Sequence, residues 1–105
     1  MKWLTKICKV LENPKYKNIG DMFIDKNNKQ EVIGACALGE LLLSTNCRIG
    51  LNEMTSHAIR RSLRNYYRVP AKVLDGLFCT INHLNSMDKS KKQIAKILKK
   101  EYTLK

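Results

Sequence analysis

The stretch Gly34-Ala-Cys-Ala-Leu-Gly-Glu-Leu-Leu-Leu-Ser44 decides the fold, because seven of its residues are apolar and cover most of a helical wheel. A helix that is apolar nearly all round is a buried helix. Small residues crowd its first part, and Gly39 costs about 1 kcal/mol relative to Ala inside a helix. We therefore expect a buried central helix over residues 34–44, with a close helix crossing at Gly39 that a Cβ would obstruct.

Amphipathic segments on both sides of this stretch predict helices that cover it. Ser90 and Gln93 match a capping box at the start of the last of them, and Pro70 suits the first turn of the helix before it. In the third helix, Tyr66 belongs to the predicted inner face. The predicted helices outside the central one span residues 2–12, about 54 or 55 to 67, 70 to about 84, and 90 to about 102.

Two short β-prone runs flank the turn-rich Asp25-Lys-Asn-Asn28 and predict a small β-hairpin over about residues 21–33. Gly34 then releases the chain into the central helix, and residues 48–53 form a loop. No linker or repeat divides the sequence. The expected fold is mainly α: a single basic domain over residues 1–105, built as a compact bundle of about five helices around the buried helix, with the hairpin at one edge.

The composition is that of a globular protein, with 44% hydrophobic and 28% charged residues in 105. No apolar run approaches the ~20 residues that a membrane span needs, and lysines interrupt the N-terminus too often for a signal-peptide core. We expect a cytoplasmic protein that does not bind membranes. The four cysteines form no C-x-x-C pair, so we expect reduced, buried thiols, no metal site and no cofactor.

The formal charge of +11 is large for this size and unevenly placed. Residues 89–105 carry seven Lys or Arg against one acidic residue, whereas residues 18–53 carry three against five. A field of this kind attracts polyanions such as nucleic acid or acidic protein surfaces.

Two basic clusters are the candidate binding residues. Arginine suits bidentate contacts to phosphate or carboxylate, and tyrosines lie among the arginines of the third helix. Lysines cover the outer face of the last helix. They could bind a partner, or they could simply form a solvated surface. The candidates are Arg60, Arg61, Arg64, Arg68 and Tyr67 in the first cluster, and Lys92, Lys96, Lys99 and Lys100 in the second. Lys91 is also placed on the outer face of the last helix.

Cys36 and Glu40 are the candidates for chemistry. A helix N-terminus would lower the pKa of the Cys36 thiol and activate it as a nucleophile, but a small apolar residue packed among alanines is the favoured interpretation. Glu40 interrupts an apolar helix, and we expect it to reach solvent or to pair with Arg48 or with the arginines of residues 60–64. Neither residue has an identifiable catalytic partner.

Two stretches of the sequence resemble a group of small phage and prophage-type proteins without assigned function. The first is Cys36-Ala-Leu-Gly39, which follows the hairpin. The second is Ile81-Asn-His-Leu-Asn85-Ser86, followed by the capped last helix, with Ser86 in the place of an Asp. The resemblance covers about half of the chain and implies an origin in a mobile element, without implying a reaction.

The charge, the candidate residues and the resemblance lead to three hypotheses for the function. The first is a non-catalytic interaction protein of phage type, whose basic surface occupies an acidic surface or the nucleic-acid channel of a host nucleoprotein, as anti-CRISPR and anti-restriction inhibitors do. The second is direct, largely sequence-independent binding of DNA or RNA through phosphates. The third, ranked last, is a small thiol or carboxylate enzyme. Base-specific reading is the weaker nucleic-acid model, because the helix after Pro70 offers few outward donors.

Overall fold

A computed structural model describes residues 1–19, 23–45 and 55–103 of the chain. These residues form a mainly α structure with a small antiparallel hairpin, as predicted. The elements, in chain order, are α1 (Lys2–Glu12), β1 (Ile24–Lys26), β2 (Val32–Ala35), α2 (Ala37–Leu43), α3 (Thr55–Asn65), α4 (Ala71–Ser86) and α5 (Lys91–Thr103). The predicted loop over residues 48–53, with Cys47 and Arg48, lies outside the described residues.

Helix α2 is the buried centre, since every residue from Ala37 to Leu42 is buried. It contacts α1, α3 and α4, whose apolar faces cover it. The helix is shorter than the predicted 34–44, because Gly34 and Ala35 pair with β1 as part of β2. Cys36 has an extended backbone and is the N-cap. The chain therefore enters α2 directly from a strand, and Gly34 does not start the helix.

The hairpin is displaced toward the C-terminus relative to its prediction. Strand β2 runs on to Ala35, and Asp25 lies within β1 instead of in the turn. The turn is stabilised by the Asn27 side chain, whose Oδ1 accepts hydrogen bonds from the backbone N–H groups of Lys29 and Glu31 at 2.9 and 3.0 Å. An Asn side chain that bonds the backbone two residues on is a common turn device.

Helix α1 has the predicted bounds and packs along α5. Its buried stripe consists of Trp3, Leu4, Ile7, Cys8 and Leu11. The predicted capping box at the start of α5 is confirmed. The Gln93 N–H donates to Ser90 Oγ at 3.1 Å, and the Ser90 N–H donates to Gln93 Oε1 at 2.8 Å.

Helix α3 ends at Asn65, two residues before its predicted end. The N–H groups of Tyr66 and Tyr67 both donate to the carbonyl of Ser62, so the last turn widens. This widening turns Tyr67 inward, where it is 1% exposed, and leaves Tyr66 47% exposed. The prediction that Tyr66 faces inward is therefore wrong, because helical spacing does not continue past Asn65.

A buried ion pair links α2 to α5. Lys91 Nζ lies 2.8 Å from Glu40 Oε1, and the two side chains are 2% and 1% exposed. The Glu40 carboxylate also accepts the backbone N–H groups of Lys15 and Tyr16, while Lys91 donates to the Tyr16 carbonyl at 2.7 Å. Glu40 therefore does not reach solvent, and its ion-pair partner among the described residues is a lysine and not an arginine. The placement of Lys91 on an outer face is wrong.

Asn85 and Cys36 accept two of the free N–H groups at the start of α2. Asn85 Oδ1 accepts the Ala37 N–H at 3.2 Å, and Cys36 Sγ accepts the Gly39 N–H at 3.4 Å. Asn85 Nδ2 also donates to the Ile19 carbonyl. The stretches of residues 36–39 and 81–86 thus contact each other at the N-terminus of the central helix.

Gly39 lies where α2 passes the backbone before β1. An added Cβ would overlap the Phe23 carbonyl oxygen and lie 2.8 Å from its carbonyl carbon. The close approach predicted at Gly39 is therefore present, but its neighbour is the backbone of Phe23, just before β1, and not a second helix.

We expect Gly39→Ala to destabilise the protein by about 1–3 kcal/mol or more, since the backbone of Phe23 must move. Gly76→Ala in α4 is the matched control, because nothing lies within 4 Å of its Cβ position. The control should be neutral or stabilising by up to about 1 kcal/mol through helix propensity. Urea unfolding of both variants measures the difference, and equal effects would contradict the packing at Gly39.

Replacing Lys91 by Met should lower the free energy of unfolding by about 3–5 kcal/mol, because it leaves the Glu40 carboxylate buried without its cation. Lys92→Met removes the same charge from the next, exposed residue of α5 and should change stability by less than about 0.5 kcal/mol. The measurement is again urea unfolding. If the two variants lost equal stability, the buried pair would have no special role.

Candidate polyanion-binding surface

A basic groove lies between α1, the end of α2 and the chain after α3. Its volume is about 460 Å³, within the ~300–1,000 Å³ common for ligand sites. The described residues that line it include three lysines, several polar and apolar residues and no acidic residue. They are Lys6, Lys9, Val10, Asn13, Lys15, Tyr16, Leu43, Ser44, Tyr66 and Tyr67. The groove is therefore both positively charged and partly aromatic.

Tyr66 presents the exposed ring of this groove. The Lys6 ammonium group lies 5.1 Å from the centroid of that ring, and the ring of Tyr67 meets it edge to face at 5.0 Å. An exposed cation–π contact contributes about 0.5–1 kcal/mol. Lys6 can therefore leave the ring for a stronger anionic partner, while the buried Tyr67 holds Tyr66 in place.

Lys15 and Tyr16 belong to the segment between α1 and β1, and the buried ion pair fixes their position in the groove. Their N–H groups donate to the two oxygens of Glu40 at 3.3 and 3.2 Å, and Lys91 binds the Tyr16 carbonyl. The backbone is thus anchored to the core on one side, while the Lys15 side chain stays exposed. One wall of the groove depends on α2 and α5 for its shape.

The arginines predicted as a binding cluster do not form one uniform face. Arg60 forms an ion pair with Asp75 of α4, and its guanidinium lies 4.2 Å from the centroid of the Phe78 ring. Arg64 Nη1 donates to the Val69 carbonyl at 3.2 Å. These two side chains thus tie α3 to α4 and to the chain before it. Arg61 and Arg68 are exposed.

Tyr67 is a predicted binding residue that the structure places in the core. Its hydroxyl donates to the Leu41 carbonyl at 2.7 Å, and burial raises the pKa of its phenol. Tyr67 is therefore almost wholly buried, and Tyr66 takes the exposed position instead; contact of Tyr67 with a partner stays a prediction. The sequence contained both tyrosines, but only the widened end of α3 decides between them.

The lysines of α5 lie at the surface, as expected for Lys92, Lys96, Lys99 and Lys100. Lys99 forms an ion pair with Glu12 of α1, which raises the pKa of its ammonium group. Lys99 therefore bridges the two packed helices. Lys92, Lys96 and Lys100 follow one another at intervals of four along α5, so they form a row of positive charge on its outer side.

The surroundings of Cys36 disfavour the thiolate form that a nucleophilic cysteine needs. It is 3% exposed, and its pKa is raised by burial, which outweighs the hydrogen bonds from the start of α2. Cys8 is buried with a raised pKa for the same reason. Cys79, in contrast, is exposed, so the expectation that all thiols are buried is wrong at this position.

Sequence reasoning missed the lysines of the groove as a group. In the sequence, Lys6 and Lys9 lie away from the apolar stripe of α1, and Lys15 directly follows Pro14. Helical spacing places Lys6 and Lys9 on one side of α1, but only the tertiary fold brings them to the groove that Tyr66 also lines. The signal available in the sequence was the excess of basic residues over residues 1–17.

No family model, curated protein or solved structure matches the chain. Over residues 1–19, 23–45 and 55–103, no helix is long and apolar enough to cross a membrane. In the same ranges, no group of three or more His, Cys, Asp or Glu side chains could hold a metal ion.

We expect a thiol reagent such as iodoacetamide to modify Cys79 in the native protein and to leave Cys8 and Cys36 unmodified, because raised pKa values and burial keep these two thiols protonated and inaccessible. Peptide mapping by mass spectrometry assigns the modified residues. All three should react in urea. Rapid native labelling of Cys36 would revive the thiol-enzyme hypothesis.

Proposed function

We propose that the protein is a non-catalytic binding protein that holds nucleic acid, largely without regard to sequence, through the phosphates of its backbone. The observation that carries this proposal is the groove that Lys6, Lys9 and Lys15 line together with the exposed ring of Tyr66, with no acidic residue among its described lining. Lysine ammonium groups bind phosphate as point charges. Their convergence on a concave surface favours a chain of phosphates over a flat contact.

The surrounding charge supports the same proposal. The net charge of +11 draws polyanions toward the molecule from a distance. The row formed by Lys92, Lys96 and Lys100 adds further phosphate contacts on the outer side of α5, which packs beside α1. Such contacts position a nucleic acid without reading its bases.

A second proposal retains the phage-type role. The protein would then use the α5 row and the exposed Arg61 and Arg68 to occupy an acidic surface, or the nucleic-acid channel, of a nucleoprotein in the host cytoplasm. The observation that favours it is the position of these charges outside the groove, on the outer side of α5, on α3 and in the chain between α3 and α4. Charges at the edge of a protein interface mainly accelerate association and set specificity. The two proposals differ in whether free nucleic acid binds.

Binding of a fluorescently labelled 12-nucleotide single strand, measured by anisotropy at 50 and 200 mM salt, tests the first proposal. We expect micromolar or tighter binding at low salt that weakens steeply with salt. Replacing Lys6, Lys9 and Lys15 by Ala should reduce the slope of log K against log salt by about 2, since each phosphate contact contributes about 0.7 for a single strand.

A variant with Lys26, Lys29 and Lys72 replaced by Ala is the matched control. These lysines are exposed and lie outside the groove, and their removal changes the net charge equally. The control should lose far less affinity than the groove variant. Equal losses would show that net charge alone drives binding, and absence of binding at 50 mM salt would overturn the first proposal and favour the second.

A further inference from the structure

We propose that the groove accepts one unpaired nucleotide at a time, with its base stacked on the ring of Tyr66, so that the protein prefers single-stranded to double-stranded nucleic acid. This inference rests on the proposed function and adds the class of strand that the groove selects. It depends on three features of the groove: an exposed ring, a displaceable cation and a limited volume.

The ring of Tyr66 is both accessible and held in position. It is 47% exposed, and it leans on the ring of Tyr67, which is itself fixed by the hydrogen bond to the Leu41 carbonyl. A stacking platform needs this combination, because a freely rotating ring would lose conformational entropy when a base binds. Tyrosine stacks on any base, which agrees with binding that ignores sequence.

Lys6 can move from the Tyr66 ring to a phosphate, so that base stacking and phosphate binding occur together. Its ammonium group now lies over the Tyr66 ring. A base that takes this face displaces the ammonium group, which can then bind the phosphate of the same nucleotide. Lys9 and Lys15 also line the groove and are exposed, so they can contact the neighbouring phosphates.

The groove is too small for a duplex to enter it and stack a base on Tyr66. A volume of about 460 Å³ accommodates a small ligand and not a helix of paired strands. In a duplex, the faces of the bases are covered by their neighbours, so a tyrosine ring reaches them only where the strand is unpaired. A duplex can still contact the lysines through its phosphates, without the contribution of Tyr66.

The test compares three 12-mers by anisotropy at 50 mM salt: oligo-dT, an abasic strand with the same phosphates, and a duplex. We expect oligo-dT to bind at least about tenfold more tightly than the abasic strand, and more tightly than the duplex. Tyr66→Ala should bring oligo-dT to within about twofold of the abasic strand. Tyr66→Phe, which keeps the ring, should retain the preference.

The outcomes separate the inference from the proposed function. Equal binding of oligo-dT and the abasic strand by the unaltered protein would overturn base stacking while leaving phosphate binding intact, and this comparison needs no variant. A preference for oligo-dT that survives Tyr66→Ala would assign stacking to another residue and overturn the role of Tyr66. If none of the three probes bound, the proposed function would fail together with the inference.

Discussion

The structure depends on the ion pair between Glu40 and Lys91, which lies in the core. Removing two charges from water is costly, and a buried pair is tolerated only when its remaining hydrogen-bonding capacity is used. Here the carboxylate accepts two backbone N–H groups as well as the ammonium group, and the ammonium group also binds a carbonyl. The pair thereby joins three segments distant in sequence: α2, α5 and the connection after α1.

The short central helix explains why so many polar side chains converge on it. A helix of seven residues has little stability of its own, because most of its N–H and C=O groups lie at its ends. Cys36 and Asn85 satisfy N–H groups at its start, and Tyr67 binds the Leu41 carbonyl near its end. The same arrangement shapes the groove, since Tyr67 supports Tyr66 while Glu40 anchors Lys15.

The parts of the fold that could be predicted from the sequence are those governed by local patterns. The apolar character of residues 34–44 predicts a buried helix, of which the structure keeps Ala37–Leu43 as α2, and the Ser90 capping box marks the start of α5. The partner of Glu40 could not be predicted, because Lys91 lies 51 residues away in a lysine-rich helix where a solvated position is the ordinary expectation. Likewise, helical spacing alone assigns Tyr66 to the core. Only the two hydrogen bonds to the Ser62 carbonyl, which widen the end of α3, show that Tyr67 is buried and Tyr66 exposed.

Amide hydrogen exchange at Lys15 and Tyr16 tests most directly whether the buried ion pair anchors the connection that forms one wall of the groove. Both residues lie outside the helices and strands, where amides ordinarily exchange quickly. If Glu40 holds their N–H groups, exchange should require an opening that costs a large part of the free energy of global unfolding. Exchange at the rate of an unfolded peptide would show that Glu40 does not hold these N–H groups, and would contradict the claim that the buried ion pair shapes the groove.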